Sequence, residues 1–356
     1  MRQSSFISAA LLAMVSFTMA ACSEASQEQA AAPAAATTAQ QAAPATPVVP
    51  TDIPEGMGIL PAEVPVPADN PQSAEKVELG KKLYFEPALS KSGNFSCNSC
   101  HNLGTGGVDN QQFSIGHQWQ RGGRNAPTVL NSAFWSAQFW DGRAPLLEDQ
   151  AKGPPLNPVE MASMAETTVV ARLNEAGYAP LFEQVFGKDS LNYDNMAKAI
   201  AAFERTLITP DAPFDLYVQG KGEISEAAKR GMQKADEVGC TNCHSGPLFT
   251  NNSFQKFAYG TDAGVKSVTG KDEDDHLFRV QSWRNVALTA PYFHDGAVKT
   301  LDEAVRIMAK TQLDTELSDT DTADIVEFLK TLTGKQPEVT FPVLPRPAGH
   351  ALTWSD

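Results

Sequence analysis

Two pentapeptides constrain this chain more than anything else in it: Cys97-Asn98-Ser99-Cys100-His101 and Cys240-Thr241-Asn242-Cys243-His244. Two thiols at this spacing reach the two vinyl groups of one porphyrin and form thioethers, and the histidine that follows is held beneath the ring as the proximal iron ligand. Zinc would want all four cysteines in one tetrahedron, or further histidines at close spacing. A dithiol redox pair belongs just after a strand, whereas helical patterns precede both motifs. Disulfides within each pair are open to an exported chain but fit less well. The expectation is two covalently bound haems c, attached at Cys97 and Cys100 and at Cys240 and Cys243, with His101 and His244 as proximal ligands. The opposite side of each iron decides function: a second strong ligand makes an electron carrier, an open or removable one makes a catalyst. Candidates there are His117, His276, His294, His350 and nine methionines. Spacing alone does not choose among them.

The N-terminus supplies the compartment. Met1 and Arg2 precede an apolar run from Phe6 to Ala21, the pattern of a secretory signal and too short for a spanning helix. Met19-Ala20-Ala21-Cys22 is similar to a bacterial lipobox, with methionine where leucine is usual, so residues 1–21 are expected to be removed and Cys22 acylated. Plain cleavage nearby is the alternative, and either route exports the protein. Ser23 rather than aspartate after the cysteine suggests sorting to the outer membrane, facing the periplasm. Residues 22–72 read as a tether. The stretch from 23 to about 50 is almost all Ala, Pro, Gln, Thr and Ser and cannot bury a core, while Ile53 to Pro71 gains apolar residues and should drape over the first domain. The net charge of −14, without a basic stripe, excludes a nucleic-acid partner and suits a protein with a basic docking patch.

At 356 residues two domains are expected. Helical signals dominate. Asp194 is a candidate cap for a helix carrying Met196, Ile200, Phe203 and Leu207; Ser225 caps another leading towards Cys240. Thr300 with Glu303 reads as a capping box in front of Leu301, Ala304, Val305 and Met308, and Ser318 starts a last helix stopped by Gly334. A weak repeat runs through the chain: a helix from Ser73 passes Gly80 to the first pentapeptide, and one from Ser225 passes Gly231 to the second. The expected fold is mainly α, with two cytochrome c-like domains at 73–210 and 211–335, each holding one haem. Long loops run from Gly104 to Pro127 and from Thr250 to Pro291, and a tail spans 336–356.

Between residues 73 and 335 the sequence resembles bacterial di-haem cytochrome c peroxidases. The matching stretches are Gly116-His117-Gln118-Trp119, Arg124-Asn125-Ala126-Pro127-Thr128, Gln138-Phe139-Trp140-Asp141-Gly142-Arg143, Glu148-Asp149-Gln150-Ala151, Asn157-Pro158-Val159-Glu160-Met161, Leu288 to Gly296, and the helix ending at Met308. The resemblance implies that His101 binds a low-potential peroxidatic haem with His117 as a removable sixth ligand. It implies that His244 and Met308 bind a high-potential haem fed by a donor, as a thioether favouring Fe(II) would allow. It gives Trp140 the part of an electron relay between the haems, and Glu160 and Gln150 the acid–base and orienting work on peroxide. It places calcium between Asn125 and the carbonyls of Thr289 and Pro291. The reaction implied is reduction of hydrogen peroxide to water with electrons from a small exported cytochrome c or cupredoxin, in a homodimer. Two rivals stand beside it. A MauG-like oxidase of a partner protein would carry tyrosine where Met308 stands, and a di-haem carrier would have no need of Gln150 and Glu160.

Overall fold

The computed structural model describes residues 49–346; Cys22, the signal segment and His350 lie outside them. The chain is mainly helical, as expected, with one two-stranded sheet among the described residues. Helix Ala74–Tyr84 begins at Ser73, whose hydroxyl accepts from the Lys76 N–H, and it crosses helix Tyr193–Glu204. The crossing is close because residue 80 is glycine: a Cβ there would stand 1.8 Å from the Ala199 carbonyl oxygen. Leu79, Leu83, Met196 and Ile200 fill the contact.

The second half repeats the device. Helix Glu226–Glu237, capped by Ser225, crosses helix Asp319–Lys330, capped by Ser318, and a Cβ on Gly231 would stand 1.8 Å from the Asp324 carbonyl oxygen. Met232, Ala235, Ile325 and Phe328 pack there. Each pentapeptide follows the glycine-bearing helix of its half.

The repeat extends beyond what the two motifs announce. Asn131 and Asn285 both adopt left-handed backbone (φ 61° and 62°), open short 3-10 turns, and donate their N–H to Leu207 and Leu332, each just past its crossing helix. Nine residues on, Trp140 and His294 occupy equivalent places in Phe-x-Asp-Gly turns. Phe139 and Phe293 share φ near 70° (68° and 71°), and the turns close by matching bridges, Gln138 to Ala144 and Tyr292 to Val298.

Between the halves the chain passes through Thr209, which is fully buried. Its hydroxyl accepts from the side-chain amides of Asn131 (2.8 Å) and Asn285 (2.9 Å), so the chain here is held in a buried joint.

Several local expectations are corrected. Asn192, not Asp194, caps helix Tyr193–Glu204, because its side chain already accepts from Asn195 N–H; Leu207 lies past the helix end but stays buried. Thr300 stands at the start of helix Leu301–Leu313 without a side-chain capping bond, so no capping box forms. Gly334 does not stop the last helix, which ends at Lys330; it is glycine because a Cβ would lie 2.0 Å from the Thr209 carbonyl oxygen. The segment from Ile53 drapes over both halves rather than the first alone. Asp52 accepts from the Tyr217 hydroxyl and Met57 is buried with Phe214 and Phe249. Further on, Asn70 donates to Glu148. No helix among the described residues is long and apolar enough to cross a membrane.

The helix crossings set a direct test. Gly80→Ala and Gly231→Ala each force backbone apart and should destabilise by about 1–3 kcal/mol, the range for an overpacked core. Gly123→Ala, which meets nothing within 4 Å, should leave the thermal midpoint unchanged.

Candidate functional site

The first pentapeptide forms the short helix Cys97–Cys100, whose start is closed by a reciprocal Ser96–Ser99 capping box. None of the four motif cysteines is paired in a disulfide, and among the described residues no cluster of His, Cys, Asp or Glu is arranged to hold a bare metal ion. Burial raises the Cys97 thiol far above its ordinary range and that of Cys100 to about 11. His101 is turned by two bonds. Its Nδ1 lies 2.9 Å from the Pro127 carbonyl oxygen, and its own carbonyl accepts from the Tyr84 hydroxyl at 2.5 Å. A carbonyl can only accept, so Nδ1 carries the proton and Nε2 is left as a lone pair, the tautomer a metal requires.

His244 follows the same rule, with Nδ1 3.2 Å from the Phe249 carbonyl oxygen and its ring stacked on Trp283 at 4.4 Å. Burial lowers its pKa to about 4, so the imidazole is neutral.

Around His244 lies a cavity of about 240 Å³, whose walls include Cys240, Cys243, Trp283 and Met308. Arg279 in its wall is fully buried and forms no ion pair among the described residues. Its guanidinium sits over Trp135 at 4.3 Å with Nε unpartnered, and burial lowers its pKa to about 10. A buried guanidinium without a counter-charge is costly, and a porphyrin carboxylate is the kind of group that would relieve it. Lone-pair histidines, paired thiols and this orphan cation all fit a covalently attached haem.

The same cavity narrows the search for the ligand opposite His244. Met308 and His294 both line it. His294 is buried, has no hydrogen-bond partner on either ring nitrogen among the described residues, and stacks on Phe278 at 4.1 Å. His276 is not among the lining residues, and its Nδ1 faces Asp275 at 3.0 Å.

On the first side, His117 opens a 3-10 turn pinned by its own N–H, which donates to the carbonyls of both Val159 and Glu160 at 2.9 Å. Gly116 permits this approach, since a Cβ there would stand 2.2 Å from the Val159 carbonyl oxygen. The His117 Nδ1 is buried without a hydrogen-bond partner among the described residues. Glu160 Oε1 accepts from Asn157 Nδ2 at 2.8 Å, and burial raises the pKa of its carboxyl, Arg143 opposing. Gln150 stands half-buried on helix Leu147–Ala151. The two loops carrying His117 and Glu160 are thus one hydrogen-bonded unit.

Trp140 donates from Nε1 to the Asn125 carbonyl at 2.9 Å and lines the His244 cavity. Asn125, Thr289 and Pro291 line it too; Asn125 spends its Nδ2 on the Gln111 carbonyl, which leaves Oδ1 to face elsewhere.

With this geometry in place, known proteins resolve the family. The sequence profile of di-haem cytochrome c peroxidases matches residues 74–223. The cytochrome c551 peroxidase of Nitrosomonas europaea is 47% identical over 289 residues, spanning 79% of this chain and 86% of that protein. The chain belongs to the di-haem cytochrome c peroxidase family. The family's cytochrome c551 peroxidase from Pseudomonas aeruginosa is 44% identical over 299 residues, 80% of this chain and 86% of that one. Among solved structures of the fold, a MauG-like protein associated with microbial copper homeostasis superposes with a TM-score of 0.70 at 29% identity, covering 81% of this chain and 96% of that one. Membership in the di-haem family implies haem c as the cofactor, in agreement with the fit above.

The carbonyls of Pro127 and Phe249, the ring of Trp283 and the guanidinium of Arg279 were not singled out from sequence. A carbonyl leaves no side-chain signature. Arg279 could have been found by aligning the two Phe-x-Asp-Gly turns, because it stands six residues before Asn285 as Asn125 stands before Asn131.

Glu204, which ends its helix within electrostatic reach of Cys97, offers a pH test. Its carboxyl is buried with Oε2 unpartnered, its neighbour Arg205 is engaged by Glu148, and burial pushes its pKa from 4.5 up to about 8. A group whose folded pKa is raised contributes stability below its unfolded pKa and loses it as pH rises through the folded one. Denaturant unfolding should therefore show stability falling between about pH 4.5 and 8, and Glu204→Gln should flatten that slope.

Proposed function

We propose that this chain is an exported peroxidase that reduces hydrogen peroxide to two waters, taking two electrons from a small cytochrome c or a cupredoxin and two protons from solvent. The observation that carries the reading is Glu160, a half-buried carboxyl of raised pKa in the loop whose carbonyls hold the His117 N–H. A carrier has no use for such a group. A peroxidase does, because cleaving the O–O bond requires a proton to move from one peroxide oxygen to the other.

Two haems c would be held by Cys97, Cys100 and His101 and by Cys240, Cys243 and His244; when bound, they supply the iron redox chemistry. The chain's own residues do the rest. His117, on the loop bonded to the Glu160 loop, would be the removable ligand of the first haem. Glu160 takes and returns a proton at its carboxylate, and Gln150 orients the peroxide through its amide. Met308 would be the thioether ligand of the donor-facing haem, a ligand type that favours the reduced metal and so a high potential. Its presence where a MauG-like oxidase would carry tyrosine supports the peroxidase reading over that rival.

Trp140 passes electrons between the sites. Asn125 Oδ1 with the carbonyls of Thr289 and Pro291 would hold calcium, since neutral oxygens from both halves suit a hard cation. Cys22 would anchor the protein to the outer membrane by a lipid, with the two haem domains meeting near Thr209 and the enzyme acting as a homodimer.

Steady-state peroxide consumption with a reduced small cytochrome is the primary test. Glu160→Gln should lower turnover by about 10²-fold while both haem spectra persist. Because Glu160 must lose its proton to act as a base, wild-type turnover should fall on the acid side at a pH above the ordinary carboxylate value of 4.5, and the variant should lose that limb. Near-normal turnover in Glu160→Gln removes the carboxylate from the mechanism. The second site has its own test in Met308→His. The variant should stay six-coordinate but show a lowered upper potential in redox titration, because imidazole stabilises Fe(III) relative to thioether. An unchanged upper potential would shift the assignment to His294, the other candidate on that wall.

A further inference from the structure

The two haem sites share a wall that the chain builds twice. Asn125 and Arg279 are equivalent in the internal repeat, and each donates its peptide N–H across to the other half: Asn125 to the His294 carbonyl at 2.8 Å, Arg279 to the Trp140 carbonyl at 2.9 Å. Two residues after Asn125, the Pro127 carbonyl holds Nδ1 of His101; Asn125 itself accepts from the Trp140 indole. Asn125 and Pro127 also line the cavity of His244. One short segment therefore touches the proximal ligand of the first site, the indole, and the second site.

What fixes that segment is not repeated. The residue before Asn125 is Arg124; the residue before Arg279 is Phe278. Arg124 is mostly buried and forks between two carboxylates. Nε and Nη2 hold Asp262 at 2.6 and 2.8 Å, and Nη1 holds Asp141, the neighbour of Trp140. Asp262 sits in the long connection of residues 257–276 that joins strand β1 (Phe254–Lys256) to strand β2 (Leu277–Arg279), and Phe278 and Arg279 at the end of that hairpin line the cavity. Asp262 is shaped for the task, since its Oδ1 also accepts from the Gly264 N–H. Arg143 is the other cation on Asp141, so that carboxylate is not orphaned if Arg124 is lost.

We infer that Arg124 is a positioning residue for electron transfer between the two sites: by tying Asp141 and Asp262 together it holds the Asn125–Pro127 wall and the Trp140 indole in register. The inference rests on the two-haem peroxidase reading for its donor and acceptor. One electron leaves the second haem and enters the first; the clamp makes and breaks no bond and moves no proton. Its contribution is geometric, and transfer through hydrogen bonds and an indole is sensitive to small displacements, as any reaction of positioned groups is.

The test uses the full-length, doubly haem-loaded enzyme without peroxide. A photoreductant injects one electron, and absorbance follows its redistribution between the haems. Arg124→Ala should slow redistribution by about tenfold or more, with both haem spectra, both potentials and the rate of initial reduction of the second haem unchanged. Asp262→Asn should act in the same direction, and Arg124→Ala combined with Asp262→Ala should be no slower than Arg124→Ala alone, as expected of one shared interaction. Limited proteolysis should cut within 257–276 faster in each variant. A redistribution rate equal to wild type in Arg124→Ala overturns the inference. If that variant fails to load haem, Arg124→Lys, which keeps the charge and loses the fork, takes its place, and a wild-type rate in both Arg124→Lys and Asp262→Asn overturns it equally. Peroxide turnover is measured separately, so an inactive wild type that still redistributes electrons would sink the peroxidase reading and leave the clamp standing.

Discussion

The structure depends on a pair of backbone hydrogen bonds exchanged between its halves, Asn125 N–H to His294 and Arg279 N–H to Trp140. Most of what the two proposed haem sites share hangs on residues within three positions of those bonds: the carbonyl that sets the His101 tautomer, the indole, the buried guanidinium, and the candidate calcium ligands Asn125 and Pro291. Backbone bonds suit this purpose because they do not depend on rotamers and lose little when side chains diverge. The turns that carry the acceptors are held in left-handed backbone at Phe139 and Phe293. Each is then closed by a glycine that meets the opposite half: a Cβ on Gly142 would strike Phe254, and one on Gly296 would strike the Gln112 carbonyl.

On that common frame the two halves differ by side chain. At equivalent places, the Trp140 ring donates to the Asn125 carbonyl while the His294 ring nitrogens have no hydrogen-bond partner among the described residues, and the rings meet edge to face at 6.2 Å. The first site is flanked by two loops joined to each other, those of His117 and Glu160, whereas the second is flanked by the helix bearing Met308. A ligand on a loop can leave; a ligand on a three-turn helix is held. In the function proposed above, the division of labour between a catalytic and an electron-storing site would follow from that contrast.

Much of this was legible in the sequence. The pentapeptides pointed to two haem-binding segments, in keeping with the di-haem family, and Gly80 and Gly231 stood out in the repeat, though as markers of position and not as close helix crossings. Ser73, Ser225 and Ser318 cap as expected because a side-chain oxygen before an apolar stripe has few other uses. Thr300 shows the limit of that logic, since the right residue types at the right spacing left the cap bond unmade. The stripe on helix Leu301–Leu313 could not separate a core methionine from a ligand; the cavity adds that Met308 lines the His244 site, and His294 lines it as well. Pro127 and Phe249 were invisible because they act through carbonyls. Arg124 and Asp262 are 138 residues apart, and no local pattern links charges across such a distance.

Thr209 carries a consequence of a different kind. One hydroxyl oxygen serves both asparagines that open the repeated turns, and it belongs to the residue where the chain leaves one half for the other. The halves are therefore not modules on a string. Cut apart, each would bare a buried amide and an unmatched strip of backbone, so neither is a ready-made single-haem protein. If the repeat arose by duplication of one ancestral unit, the joint had to be settled before the copies could specialise, and every later change in either copy was made against a fixed seam.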